Sequence, residues 1–526
     1  MLRSLTLSSS YYITTPIYYV TDAPHIGHLY TTVAADIMAH YHRMLGKDVW
    51  FLTGTDEHGQ KIQKKAKETG ETPIALADRV VQRYLEAWKE YGIEFNDFIR
   101  TTEERHKKVV QAFIKKLMDT GDVYLGDYEG LYCIPCETYC TETQATNGKC
   151  PDCGRPVEKL REESYFFRMS KYVAPLIKHI EENPNFILPE SRKNEVLGFL
   201  KGEVKDISIS RTTIDWGIPM PQDPKATKSH KVYVWFDALT NYISALGPQE
   251  NDAKYSKFWP EAIHVVGKDI LRFHAVYWPT FLMALGIRLP KQIIAHGWLT
   301  DSNRKISKSL GNAIDPIALA KEVGIDGMRF FLFREFVFGQ DGEYTKEIMY
   351  QRINADLAND FGNCINRVTN MIPKYMGNNP ISTESYLTNP SELKTLANNC
   401  VPQAQKEMLD FSFNKALESI WKLISGVNRY VENNAPWTLA KSKDPKDKTK
   451  LEEVLVHCHE SLRIASLFLV PFIPKSAKLA LGYLGTESDL NLVAPLKTQL
   501  VWGSGPKAVQ VTKSAPLFPR LEIPKS

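Results

Sequence analysis

The stretch Pro24-His25-Ile26-Gly27-His28 constrains this chain most. A hydrophobic run, Tyr11–Val20, precedes it. Ile26, Leu29, Val33, Ile37, Tyr41 and Met44 then recur at spacings of three and four up to Gly46. That pattern predicts a strand, a short turn and an amphipathic helix. Pro24 suits the first helical turn, where a missing N–H costs nothing. Three residues separate His25 from His28, so both imidazoles share one face of the first turn. They lie beside backbone N–H groups without intrahelical partners, an arrangement that receives phosphate. Gly27, lacking a Cβ, leaves room for a flat ring or a phosphate at the backbone. Read alone, the same residues also fit two ordinary surface histidines at a helix start.

At 526 residues the chain is too long for one compact core, so three or four modules are expected. Hydrophobic residues make up 43% and charged residues 24%, the balance of a globular protein. No run of about 18 apolar residues occurs, which predicts no membrane span. A net charge of +4 permits a nucleic-acid partner without arguing for one. The first ten residues, MLRSLTLSSS, lack the apolar core of a secretory signal and read as a floppy terminus, with a short organellar presequence as the alternative.

Past the first helix, Asp48–Leu52 reads as a short buried strand running into Thr53-Gly54-Thr55-Asp56-Glu57-His58-Gly59. Ligands of open α/β sheets sit beyond the carboxyl ends of strands. Asp56 is therefore placed to hold an ammonium group by a charge-assisted bond, or it is simply a turn residue. Val232–Phe236 reads as another buried strand, followed by a helix bearing Tyr242. Ile263–Val266 leads to Gly267-Lys268-Asp269-Ile270, where Asp269 suits a ribose hydroxyl and Lys268 a phosphate. The helix beyond carries Phe273, His274 and Trp278. Trp235, Tyr242, Phe273 and Trp278, with Ile17 and Tyr19, suit a pocket for an unbranched thioether, because sulfur near ring edges gains about 0.3–1.5 kcal/mol per contact. Plain core packing explains the same aromatics.

Cys133-x2-Cys136-x13-Cys150-x2-Cys153 places four thiols in two close pairs, as tetrahedral zinc requires. Four reduced thiols or two disulfides remain alternatives. Cys140 stands outside the pattern. Much later comes Asp301–Asn312, with Lys305-Ile306-Ser307-Lys308-Ser309 inside it, a basic loop between turn residues. From about Lys346 the chain turns helical. Ile353, Leu357, Phe361, Ile365, Val368 and Ile372 form an apolar stripe, with Asn359, Asn363 and Arg367 on the opposite face. Lys441–Lys450 reads as a solvated loop, Leu451–Gly485 as a helical pair, and the Pro-rich remainder as a tail folded back.

HIGH at His25–His28 and the lysine stretch at Lys305–Ser309 together resemble the two ATP-binding motifs of class I aminoacyl-tRNA synthetases. Ile306 stands where the family's second motif has Met. The surrounding text resembles the methionyl members, over nearly the whole chain. The resemblance implies a split Rossmann-like parallel sheet (1–118 and 231–298), interrupted by a connective insertion with a structural zinc knuckle (119–230). It further implies a linker with the lysine loop (299–345), a helical anticodon-binding domain (346–485) and the tail (486–526).

Carried over residue by residue, His25, His28, Lys305 and Lys308 match catalytic positions, with charge on the departing pyrophosphate stabilised by the lysines. Gly27, Arg211, Gly267, Lys268, Asp269 and Ser307 match ATP-binding positions. Ile17, Tyr19, Asp56, Trp235, Ala238, Leu239, Tyr242, Ile270, Phe273, His274 and Trp278 match the methionine site, with Leu239 replacing the proline of some relatives. Asn363, Arg367 and Trp437 match positions that read an anticodon. The expected activity is methionine–tRNA ligation by a cytoplasmic monomer, with an organellar matrix as the alternative location. Its substrates would be L-methionine, ATP with Mg²⁺ and tRNA(Met), with one structural Zn²⁺. The rivals are a class I synthetase for another amino acid and a tRNA-binding paralogue without catalysis. The chain is too short for the large editing domain of the Ile, Val and Leu enzymes, and cysteinyl enzymes place zinc in the amino-acid site.

Overall fold

The computed structural model describes residues 9–134, 138–140, 145–151, 154–247, 252–301, 304–306, 314–491 and 495–522. The chain divides into two compact units, Met1–Ala35 with Val49–Gly297, and Asp36–Asp48 with Trp298–Ser526.

In the first unit the run Tyr11–Val20 forms two strands, β1 (Ser10–Thr14) and β2 (Tyr18–Tyr19). Pro16 lies between them, and a residue without an N–H cannot continue a ladder. The helix Ile26–Met44 follows, as its spacing predicts. β3 (Asp48–Asp56) runs four residues further than the expected strand and carries Asp56 at its end. β4 (Asp97–Arg100) lies beside it. Contact between these two strands is close at Gly54, where a Cβ would sit 2.0 Å from the Ile99 carbonyl oxygen.

The segment between the halves of this sheet builds an antiparallel sheet from β5 (Val123–Cys133), β6 (Thr138–Cys140) and β7 (Glu158–Phe167), joined by a later short strand. Between them in sequence, β8 (Ile187–Leu188) leaves this sheet and pairs with the central one. Two residues are too few to show a strand pattern in sequence. β9 (Ile207–Ser208) completes the antiparallel sheet, in the order β6–β5–β7–β9. β10 (Ser210–Arg211) and β11 (Lys231–Val232) form an antiparallel pair. The buried strand expected over Val232–Phe236 is instead mostly helix, Val234–Ser244, with all its residues buried. Burial on every side erases the periodicity that separates helix from strand.

β12 (Ala262–Gly267) and β13 (Gln292–His296) complete the central sheet. Its order is β2–β3–β1–β12–β13–β8, with β4 also on β3. The pairings β1–β12, β12–β13, β13–β8, β2–β3 and β3–β4 are all parallel. Parallel pairing brings the carboxyl ends to one edge. Tyr19 stands opposite Asp56 there, and Gly267 opposite His296.

The second unit opens on three short strands, Leu299–Asp301, Arg304–Lys305 and Gly342–Glu343. Helices dominate the rest. Ile353, Leu357, Phe361, Ile365, Val368 and Ile372 are all buried, and Asn359 and Asn363 are exposed, as the stripe predicts. The expected loop over Lys441–Lys450 ends early. Asp444 caps the helix Pro445–Leu469, its Oδ1 accepting from the Lys446 N–H at 2.9 Å. Asp followed by Pro is a helix-start signal that the lysines mask. Arg329, fully buried, donates to Asp36 Oδ2 (2.7 Å) and the Pro471 carbonyl (2.8 Å). The C-terminal stretch packs on the same unit: Asn354 and the Leu521 backbone exchange two hydrogen bonds of 2.8 Å.

Gly54→Ala drives a methyl group into the Ile99 carbonyl, so β3 and β4 must part. Overpacking of this kind costs about 1–3 kcal/mol or more. Thermal unfolding of the variant is expected to begin several degrees below that of the parent chain.

Candidate functional site in the first unit

The helix that begins at Ile26 holds two imidazoles at its start. The Gly27 N–H donates to His25 Nδ1 (3.0 Å), and the His25 N–H donates to His28 Nδ1 (3.2 Å). A ring nitrogen that accepts carries no proton, so in each neutral ring the proton sits on Nε2. The rings stack with centroids 3.8 Å apart. A Cβ on Gly27 would lie 2.8 Å from His25 Cε1, so the flat ring that needs this glycine is His25 itself. Tyr18 supports His28 from below, with ring centroids 4.8 Å apart and its hydroxyl 2.8 Å from Thr32 Oγ1.

The strand ends converge on the same edge of the sheet. Asp56 closes β3 and is buried. At the end of β12, Asp269 Oδ1 leans back over Gly267, where a Cβ would meet it at 2.6 Å. Asp269 is exposed, and Lys268 and Ile270 are half-buried. His296, at the end of β13, lies 2.7 Å from Thr31 Oγ1 on the first helix. Its Nδ1–H donates to the Gly297 carbonyl at 2.7 Å, so Nε2 accepts from the threonine. Arg211 is buried on β10. Its guanidinium donates to the Ser210 carbonyl (2.6 Å) and Ser208 Oγ (3.2 Å) and lies 4.5 Å from the Tyr233 ring centroid.

The aromatic residues form one connected group. Trp235 and Phe273 stack face to face, 3.7 Å between centroids. His274 Nδ1–H donates to the Ile270 carbonyl (2.9 Å), which leaves Nε2 to accept from the Tyr242 hydroxyl (2.7 Å). Tyr242 also stacks on His264 at 4.0 Å. The Trp278 N–H donates to His264 Nε2 (3.3 Å), so His264 Nδ1–H points to Thr14 Oγ1 at 2.9 Å. Each ring thus has one tautomer. Burial lowers the His274 pKa to about 4 and holds that of His264 well below the usual imidazole value. Phe273 and His274 lie on a π-helical turn, Phe273–Tyr277, a distortion common at functional sites. Ile17, Tyr19 and Ile270 pack against the edge of this core, and Leu239 lies within it. Trp278 is buried behind Tyr242, with ring centroids 6.1 Å apart. Ala238 is buried on the same helix as Trp235.

One cluster was not anticipated from the sequence. Asp237 is fully buried between two histidines, 2.7 Å from His58 Nδ1 and 2.6 Å from His106 Nε2. Burial pushes its carboxyl pKa up, but the two imidazoles more than offset this and hold it below the usual range. The signal was a charged residue inside the apolar run Val232–Leu239, since such residues are almost never fully buried unless paired. Next to His58, Glu57 accepts from Thr55 (2.8 Å), Arg100 (2.7 Å) and Thr102 (2.5 Å).

Two of the four zinc-pattern thiols are described. Cys133 and Cys150 are buried together with Ala145. Around Cys150 the chain makes a tight turn. The Cys150 N–H donates to the Arg155 carbonyl (2.8 Å) and the Gly154 N–H to the Cys150 carbonyl (2.9 Å), with Gly154 at φ 69°. Cys136 and Cys153 lie outside the described residues, as do Ser307 and Lys308. Of Lys305 the backbone is described, paired with Thr300.

In the second unit, Asn363 is exposed at the start of the helix Asn363–Met376. Arg367 on that helix donates to Glu432 Oε1 at 2.6 Å. The helix bearing Glu432 ends at Ala435, which takes a left-handed conformation at φ 39°. Trp437 follows Pro436 and is 38% exposed, rare for so large an apolar ring.

The family model described as tRNA synthetases class I (M) matches residues 11–160 and 155–369. The methionine–tRNA ligase of Caldanaerobacter subterraneus subsp. tengcongensis is 47% identical over 521 residues, covering 99% of this chain and 80% of that protein. That of Bacillus subtilis is 48% identical, covering 98% and 78%. Among solved structures, Mycobacterium tuberculosis methionyl-tRNA synthetase in complex with methionyl-adenylate superposes with a TM-score of 0.90 at 38% identity. It covers 97% of this chain and 100% of that one.

The buried imidazoles generate a pH prediction. Near pH 6.5 the unfolded chain takes up protons that His264 and His274 refuse in the fold. Their contribution to stability is therefore complete above about pH 6.5 and is lost as pH falls toward 4. Imidazole ¹⁵N shifts of His274 are expected to stay constant between pH 8 and about 5. A titration centred near 6.5 would contradict the network.

Proposed function

The chain belongs to the methionyl group of class I aminoacyl-tRNA synthetases, and from that membership we propose that it is a methionine–tRNA ligase. Methionine and ATP react to give methionyl-adenylate and pyrophosphate, and the 3′-terminal ribose of tRNA(Met) then takes the methionyl group. The observation that carries this reading is the neutral aromatic group around Trp235, Tyr242, Phe273 and His274, together with a buried carboxylate, Asp56, at a strand end of the same unit.

We assign the methionine thioether to Trp235, Tyr242, Phe273 and His274, with Ile17, Tyr19, Ala238, Leu239 and Ile270 at the edges. An uncharged, satisfied wall suits a polarizable apolar side chain, and a charge there would cost desolvation. Trp278 supports Tyr242 through His264. Asp56 takes the α-ammonium. For ATP, the Nε2–H groups of His25 and His28 are hydrogen-bond donors at a helix N-terminus, where negative charge is favoured. Asp269 suits the ribose, Lys268 and Arg211 the phosphates, and Gly267 keeps the strand end clear for Asp269.

The methionine carboxylate attacks the α-phosphorus, the bond to the β-phosphate oxygen breaks, and the electron pair leaves with pyrophosphate. Orientation and charge stabilisation carry the rate, and no side chain forms a covalent intermediate. Lys305, Ser307 and Lys308 supply polar and cationic groups suited to the charge on pyrophosphate. Magnesium would come with the nucleotide and add positive charge to its phosphates. The thiols Cys133, Cys136, Cys150 and Cys153 would hold zinc. The buried Cys133 and Cys150 and the tight turn at Cys150 fit a knuckle, and an ion held by four thiolates would be structural, cross-linking the fold.

In the second unit we assign anticodon recognition to Asn363, Arg367 and Trp437. Support comes from the exposed Trp437 ring and from the Arg367–Glu432 pair, which ties the Asn363 helix to the helix end preceding Trp437. With tRNA and ATP as substrates, we place the enzyme in the cytoplasm.

Amino-acid-dependent ATP–pyrophosphate exchange without tRNA tests the first step. Exchange is expected with methionine and not with cysteine, isoleucine, valine or leucine. Exchange with one of those instead would overturn the pocket assignment. Trp437→Ala is expected to leave this exchange intact and to lower kcat/KM for aminoacylation of tRNA about tenfold or more, the loss of one stacked base. An equal loss in both assays would remove Trp437 from the anticodon.

A further inference from the structure

We propose that Asp237 is a positioning residue for amino-acid binding: its carboxylate locks the segment that follows Asp56 to the helix that carries Trp235, and so fixes the distance between the ammonium-binding and thioether-binding halves of the site. This rests on the methionine–tRNA ligase reading.

The connections are direct. Asp237 Oδ2 faces His58 Nδ1 at 2.7 Å and Oδ1 faces His106 Nε2 at 2.6 Å. His58 is two residues beyond Asp56, on the chain leaving β3. Asp237 is two residues beyond Trp235 and directly precedes Ala238. His106, on the helix Glu104–Asp119, lies 2.7 Å from Ser244 Oγ at the far end of the Trp235 helix, so this third element grips that helix at two points. The residue between Asp56 and His58 is held as firmly. Glu57 receives hydrogen bonds from Thr55, Arg100 and Thr102, and its own N–H donates to Thr101 at 3.0 Å. Beyond His58, the Gly59 N–H donates to the Trp216 carbonyl (3.2 Å), and the Trp216 ring packs 5.5 Å from the imidazole. Asp56 is thus the last residue of a strand whose next three residues are all tied down.

A stabilising role alone accounts poorly for this arrangement. Here the two imidazoles more than offset the desolvation of the carboxylate, yet apolar replacements of buried charged clusters are commonly neutral or stabilising, so stability alone does not call for a carboxylate. Specified geometry is what the arrangement supplies. Two groups must meet one small ligand at opposite ends, and a shift of about 1 Å there costs binding or rate. Contacts to the uncharged thioether wall are non-directional, whereas the ammonium contact to Asp56 is short-ranged and directional. Loss of the lock therefore weakens methionine binding and leaves ATP binding unaffected, since among the described residues no group assigned to ATP is hydrogen-bonded to the His58 or Asp237 side chain.

The test is ATP–pyrophosphate exchange with methionine and ATP varied separately, for the parent chain, Asp237→Asn, His58→Phe and His58→Asn. Asp237→Asn keeps the shape and removes the charge. His58→Phe removes the donor, and His58→Asn returns an N–H near the Nδ1 position. The expected result is a rise in KM for methionine of about tenfold or more in Asp237→Asn and His58→Phe, the scale of one charge-assisted hydrogen bond. KM for ATP should stay within about twofold, and His58→Asn should recover most of the loss. Should Asp237→Asn fail to fold by circular dichroism, the His58 pair decides. The proposal is overturned if both KM values move together, if neither moves, or if His58→Asn is as impaired as His58→Phe. Absence of methionine-dependent exchange in the parent chain would sink the ligase reading and this inference with it. Normal exchange in the parent with no selective KM change sinks the inference alone.

Discussion

Parallel pairing of β3 with β2 and β4, and of β12 with β1 and β13, is the constraint on which the first unit depends. It gathers carboxyl ends on one side, and Asp56, Gly267 to Ile270 and the turn into the His25 helix lie at or just beyond such ends, while the aromatic groups come from the helices packed beside them. Residues far apart in sequence meet because the register is fixed. Thr14 faces His264 across β1 and β12, and their side chains hydrogen-bond. Antiparallel pairing at any of these joints would split the set between two edges.

Two kinds of polar network lie behind this edge, and their chemistry differs. The group of Tyr242, His264, His274 and Trp278 is neutral, with each ring held in one tautomer by a partner that only donates or only accepts. Such a network gives a rigid wall without presenting charge to a ligand. The group around Asp237 and Glu57 is charged and holds Glu57 and His58, the residues that directly follow Asp56. Recognition of an amino acid needs both, an apolar wall for the side chain and a fixed charge for the ammonium group.

Much of this was legible in the sequence because local rules sufficed. The helix after His25 follows from three-and-four spacing, and the buried stripe Ile353–Ile372 from the same rule. Local rules failed where burial was complete or elements were short. The run Val232–Phe236 looks like a strand because no exposed face marks its helical period. β8 has two residues and joins the central sheet from inside the inserted segment. Gly27 was legible as a place needing space, but only geometry shows that the His25 ring occupies it. The Asp237 cluster joins positions 58, 106 and 237, a contact that no local pattern carries.

The central claim is that the aromatic group and Asp56 grip the two ends of one methionine. A crystal structure of the protein with L-methionine and a non-hydrolysable ATP analogue measures this directly. The account predicts the thioether sulfur in van der Waals contact with the rings of Trp235, Tyr242 or Phe273, and the α-ammonium within hydrogen-bond distance of the Asp56 carboxylate. Methionine bound away from these rings, or bound with its ammonium remote from Asp56, would contradict it.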